Sequence, residues 1–85
     1  MSDADLILRF RAGQHQAFNL LVWRWQSRLY RFALRYSGDV EDARDLCQQS
    51  FIRAYRQLHR LRDPERFSTW LYQIAANLCR DHLRQ

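Results

Sequence analysis

The chain has 85 residues, a formal net charge of +5 and a pI near 10.0, and all 14 of its basic residues are arginine. A hydrophobic fraction of 47% is enough for one small core and excludes a disordered chain or several domains. Two glycines and one proline are too few for a many-turned sheet, and no apolar run approaches the ~20 residues of a membrane span. The basic balance points to an anionic partner, nucleic acid before a membrane surface.

Four helical segments follow in chain order, predicting an all-α fold, a compact bundle of about four helices. The start, Met1 to Asp5, is acidic and has no signal-peptide pattern. The first helix is expected from about Asp3 to Ala12, with Ser2 as N-cap, Asp5 three residues on and Gly13 as stop. The second runs from about Gln16 to Tyr36 and ends at Gly38. Phe18, Leu21, Val22, Trp25, Leu29, Phe32, Ala33 and Tyr36 share one face at helical spacing. Leu20, Trp23, Tyr30 and Leu34 form an opposed apolar stripe, either covered by the first helix or kept for a protein partner. Arg24, Arg28, Arg31 and Arg35 make a third, basic stripe.

The third helix is expected from about Val40 to His59, capped by Asp39, with Glu41 and Asp42 at the positive end of its dipole. Ala43, Cys47, Ser50, Phe51, Ala54 and Leu58 read as core; Glu41, Asp45, Gln48, Gln49, Ile52 and Arg56 read as the outer face. A basic loop, Arg60 to Arg66, carries Pro64, which opposes continuation of the helix. The last helix, from Phe67 or Ser68 to Leu83, buries Phe67, Leu71, Ile74, Ala75, Leu78 and His82. Gln73, Asn77, Arg80 and Arg84 line another side, with Trp70 at the border.

No glycine-rich phosphate loop or nucleophile–base set is present, so no enzyme activity and no cofactor is expected. Cys47 and Cys79 read as reduced core thiols of a cytoplasmic protein; with His59 and His82 they lack the paired short spacing of a structural metal site. The chemistry lies in the last third. An arginine-flanked loop precedes a helix bearing an aromatic, an amide and arginines. Cations for the backbone, an apolar wall for a flipped base and an amide for its edge are what an unwound strand requires.

These residues resemble domain two, or region 2, of the extracytoplasmic-function sigma factors of the sigma-70 family. Gly13-Gln14-His15-Gln16-Ala17-Phe18-Asn19-Leu20-Leu21 is similar to the family's entry into its second helix. Asp45-Leu46-Cys47-Gln48-Gln49-Ser50-Phe51-Ile52-Arg53-Ala54-Tyr55-Arg56 is similar to its polymerase-docking helix. Phe67-Ser68-Thr69-Trp70-Leu71-Tyr72-Gln73-Ile74-Ala75-Ala76-Asn77-Leu78, followed by Asp81-His82-Leu83-Arg84, is similar to its promoter-reading helix. The three occur in order at the family's separations.

The resemblance implies a transcription-initiation domain that docks on the clamp helices of the polymerase largest subunit through Asp45, Gln48, Gln49, Ile52 and Arg56. It implies that the non-template strand of the −10 element is recognised, and its melting helped, through Gln57, Leu61, Arg62, Arg66, Trp70, Gln73, Ile74, Asn77 and Arg80. An anti-sigma factor is a further implied partner, and a sigma-like mimic that binds one without touching DNA is the alternative reading. Residues 1–85 are expected to be a single domain, without the −35-reading domain that family members also carry. Three positions depart from the family's pattern: Gln49 stands for a usual glutamate, Asp63-Pro64 replaces a glycine-containing loop, and Gln73-Ile74 replaces the tryptophan pair of housekeeping members. The last change implies a narrower choice of promoters.

Overall fold

The computed structural model describes residues 1–84, and among them every regular element is helical: α1 (Asp3–Arg11), α2 (Ala17–Ser37), α3 (Val40–Gln57) and α4 (Phe67–Leu83). Short 3-10 turns at Leu58–Arg60 and Pro64–Arg66 join α3 to α4.

Local chemistry sets each boundary. The Ser2 hydroxyl accepts from the Asp5 N–H at 3.1 Å, and the Asp5 carboxylate accepts from the Ser2 N–H at 2.9 Å, a reciprocal cap on α1. Gly38, at φ 69°, ends α2 with its N–H donating to the Leu34 carbonyl at 2.8 Å. The Asp39 carboxylate caps α3 by accepting from the Asp42 N–H at 2.9 Å. α3 stops two residues short of the expected His59 because the chain tightens into a 3-10 turn. That winding brings Leu58 and Leu61 onto the same side, and both are buried. The expected basic loop is thus partly wound, and Asp63 caps its second turn by accepting from the Glu65 N–H at 3.0 Å.

α2 is the central element, packing against α1, α3 and α4, while α3 also packs on α4. Leu6 and Ile7 of α1, Leu21 and Leu29 of α2, Phe51 of α3 and Phe67 and Leu71 of α4 meet in one core. Ala33, Ala43, Ala54 and Ala75 are fully buried where their helices approach closely. Ser50, the one buried polar side chain among the described residues, donates its hydroxyl to the Leu46 carbonyl at 2.7 Å. Burial pushes the Cys47 and Cys79 thiols up, which keeps them protonated and unreactive at neutral pH.

Tertiary contacts change three expectations. The opposed stripe of α2 splits: Tyr30 and Leu34 are half-buried against the core, whereas Leu20 and Trp23 are 52% and 76% exposed, because α1 does not reach over them. Tyr36 lies on the last turn of α2 and is exposed, packing only its ring against Phe32 at 5.2 Å. His82 is half-buried rather than core; its Nε2 lies 3.3 Å from Asp42 Oδ2, tying the end of α4 to the start of α3. Leu46, assigned to neither face of α3, is buried.

α1 is fastened at both ends. Asp3 accepts from Arg24 Nη1 at 2.7 Å and from the Trp25 indole N–H at 3.1 Å. At the other end the Arg11 guanidinium donates to the Leu61 carbonyl and, at 3.5 Å, to the Leu58 carbonyl, so α1 braces the α3–α4 connection from below.

Candidate nucleic-acid interface

α4 presents a polar face because Gln73, Asn77 and Arg80 recur at intervals of four and three residues, with Arg66, the last residue of the preceding 3-10 turn, seven residues before Gln73; all four are exposed. Trp70 sits at the edge of that face, half-buried, with its ring 6.1 Å from the Phe67 ring, so it offers one side outward while the other belongs to the core. Arg62 is exposed on the connection that leads to this face.

The geometry refines the role of Asn77. Its Oδ1 accepts from the Arg80 guanidinium one turn on, which fixes the orientation of the amide. The Nδ2 protons are then directed away from Arg80 and are free to donate to a base acceptor. Oδ1 retains a second lone pair, so a two-bond contact to a base edge requires only that Arg80 share it.

Two of the residues that the resemblance offers as readers are buried; the spacing of α4 already assigns Ile74 to its buried face, whereas the burial of Leu61 is not expected from the sequence. Leu61 is 5% and Ile74 7% exposed, and both belong to the hydrophobic core. Neither side chain is an exposed contact; each is an apolar residue that must be buried for the connection and α4 to hold their positions. What Leu61 does present is its backbone, whose carbonyl is held by Arg11. Arg11 thus holds the connection that leads to the α4 face, a contact the sequence did not reveal. Its signal was weak, since one arginine at the end of a short helix also reads as a dipole complement.

The outer face of α3 is as expected: Asp45, Gln48, Gln49, Ile52 and Arg56 are all exposed. Gln49 donates to the Asp45 carboxylate at 2.9 Å, so its amide compensates the acid rather than adding to it. Ile52, 45% exposed, stands between two depressions. One is lined by Gln49, Arg53, Arg56, Gln57 and Leu78, which places half-buried Gln57 at the seam between α3 and α4. The other lies between α2 and α3, with Val22, Tyr30, Cys47 and Phe51 beneath and Gln26, Arg44 and Gln48 at its rim. Sequence reasoning missed the α2 share of this surface, although Val22 and Tyr30 belonged to the apolar stripes that made that helix two-sided.

Among the described residues no three His, Cys, Asp or Glu side chains converge as metal ligands, and no helix is long and apolar enough to cross a membrane.

This arrangement has close counterparts. The chain is 44% identical over 85 residues to the ECF RNA polymerase sigma-E factor of Salmonella typhimurium and 40% identical over 81 residues to the RNA polymerase sigma-H factor of Pseudomonas aeruginosa. These alignments cover 98% and 95% of the chain but only 43% and 42% of the relatives, so the chain spans less than half their length. A solution structure of an engineered region 2 of sigmaE in complex with GTAAAA superimposes with a TM-score of 0.84 at 43% identity, covering 98% of this chain and 86% of that one. The family model for sigma-70 region 2 matches residues 21–85, a span that holds most of α2 and all of α3, the connection and α4, and the chain belongs to the sigma-70 region 2 family.

Proposed function

We propose that this domain docks on core RNA polymerase through the outer face of α3 and recognises the non-template strand of the −10 promoter element through α4 and the connection before it. The observation that carries this reading is the match over nearly the whole chain to an engineered region 2 of sigmaE solved in complex with GTAAAA. The same fold here exposes an amide and arginines along one face of α4. In this reading Asn77 donates to a base edge, held in orientation by Arg80. Arg62 and Arg66 meet phosphates, and Trp70 walls a flipped base beside the Arg11-braced connection. Ile52 anchors the polymerase contact, with Asp45, Gln48, Gln49 and Arg56 as its polar surround. The domain is non-enzymatic and acts where the polymerase is, in the bacterial cytoplasm. The exposed pair Leu20 and Trp23 is the surface offered to an anti-sigma factor.

The test separates reading from holding. In a panel of −10 variants transcribed by reconstituted polymerase, Asn77→Ala flattens the preference at one position, since a two-bond base contact discriminates by ~1–3 kcal/mol. Arg62→Ala and Arg66→Ala weaken all variants alike and lessen the salt dependence. A uniform loss across the panel for Asn77→Ala makes the amide structural and refutes its assignment.

A further inference from the structure

The two proposed interfaces share an element that belongs to neither. α1 packs along α2 and against the Pro64–Arg66 turn, and its last two residues reach different partners. Arg11 donates to the Leu61 and Leu58 carbonyls of the connection. The Phe10 ring meets Tyr55 of α3 edge to face at 5.4 Å and 83°, Phe18 of α2 at 6.0 Å and His15 of the turn between α1 and α2 at 4.9 Å. Both residues sit in one helical turn, whose end is fixed by the Gly13 and Gln14 N–H groups donating to the Phe10 and Arg9 carbonyls at 3.0 Å. Phe10 and Arg11 therefore move together.

Tyr55 stands on the docking side of α3. It follows Gln48 by seven residues and Ile52 by three, precedes Arg56, and is exposed. Two rings buttress it from beneath, since it also meets buried Phe18 edge to face at 5.2 Å and 84°. Phe10 is only half-buried and rides on α1, so Tyr55 loses one of its two supports whenever α1 lifts. A partner shaped to the Tyr55 ring as it stands binds the seated form of α1 better than the lifted one. That difference in affinity is what allows a contact at one site to favour a conformation at another.

We propose that α1 couples the two interfaces: a polymerase contact that covers Tyr55 keeps Phe10 in its seat, and Arg11 beside it then holds the connection in the shape that receives the strand. The inference rests on the docking and reading assignments given above and adds the link between them. Phe10 and Arg11 are positioning residues in this scheme, for neither meets a base. The coupling runs both ways, so a strand bound at the connection tightens the polymerase contact by the same factor. An aromatic pair is worth about two- to twelvefold in an equilibrium, which sets the size of what the Phe10–Tyr55 contact transmits.

The experiment follows hydrogen exchange of the Leu61 amide and the affinity for the hexamer GTAAAA in this chain, and then the exchange again with core RNA polymerase bound. Tyr55→Ala and Phe10→Leu each speed Leu61 exchange by about two- to twelvefold and weaken hexamer binding in parallel, while Tyr55→Phe, which keeps the ring, changes neither. Introduced into Arg11→Ala, Tyr55→Ala adds nothing further, because its effect passes through Arg11; a loss of stability independent of Arg11 adds its full factor again. Core polymerase slows Leu61 exchange in the parent and leaves it unchanged in Phe10→Leu, although both are captured. Tyr55 is exposed, so its variants decide the matter even if Phe10→Leu loosens the bundle. Additive effects of Tyr55→Ala and Arg11→Ala, or equal slowing by polymerase in the parent and Phe10→Leu, overturn the coupling alone. An unbound hexamer or an uncaptured parent chain overturns the assignment concerned and this inference with it.

Discussion

Replacing Arg11 by alanine tests whether α1, which presents no base-reading group, sets the shape of the reading site. The side chain crosses from α1 to the connection and donates to the carbonyls of Leu61 and Leu58, forty-seven and more residues away in sequence. A hydrogen bond from a charged donor contributes ~1.5–3 kcal/mol net. The contact to Leu58, at 3.5 Å, lies at the edge of bonding range and adds little, so the Leu61 bond carries the effect. Lost from a connection whose Leu58 and Leu61 side chains stay buried, that energy shifts local opening by roughly 10- to 150-fold without unfolding the bundle. The Leu61 N–H, which donates to the Leu58 carbonyl at 3.1 Å, reports the opening directly through amide hydrogen exchange. Its exchange accelerates by that factor in Arg11→Ala, whereas the amides of α2 change far less. The affinity for GTAAAA falls in parallel, because the strand must then order the connection as it binds. Arg11→Lys, which keeps one charged donor, restores part of both. A Leu61 amide that exchanges at the parent rate in Arg11→Ala refutes the bracing role.

Three further outcomes are expected. Ile52→Asp abolishes capture of core polymerase while helicity and melting temperature stay near the parent values, because an exposed apolar anchor ringed by polar groups is worth ~2 kcal/mol or more at an interface; survival of capture moves the docking face elsewhere. The Asp5 carboxyl is held below its ordinary 3.8 by the Ser2 N–H and then the Ser2 hydroxyl, so its support of α1 is present above that value and is lost as pH falls through the lower native one. Acid titration by circular dichroism should accordingly show Asp5→Asn with less acid-dependent loss of α1 than the parent, and equal loss refutes the cap. Gly38→Ala destabilises by ~1–2 kcal/mol in urea melts, since a Cβ there meets no neighbour and the cost comes from φ 69° alone; a neutral result refutes that source of strain.

The local terms of this protein were legible in its residues. Ser2 with Asp5, Gly38, Asp39 and the scarcity of other breakers set four helices to within two residues, since caps and stop signals act within one turn. The core and outer faces of α3 followed from the 3.6-residue period, and so did the polar face of α4, because each face is a property of one helix. The tertiary structure decided whatever depends on two elements meeting. Leu61 lies outside the periodic helices and carries no spacing that marks it as core, yet neighbouring helices cover it, and Trp23 has the look of a buried tryptophan yet nothing packs over it. Arg11 acts on carbonyls across the molecule, and a backbone acceptor leaves no trace in the identity of its residue. A groove of Trp25, Phe32 and Tyr72 likewise exists only because α2 and α4 lie side by side. Periodicity assigns Trp25 and Phe32 to the apolar face of α2 and leaves Tyr72 unassigned; only the packing of the two helices determines that all three rings remain partly open to solvent.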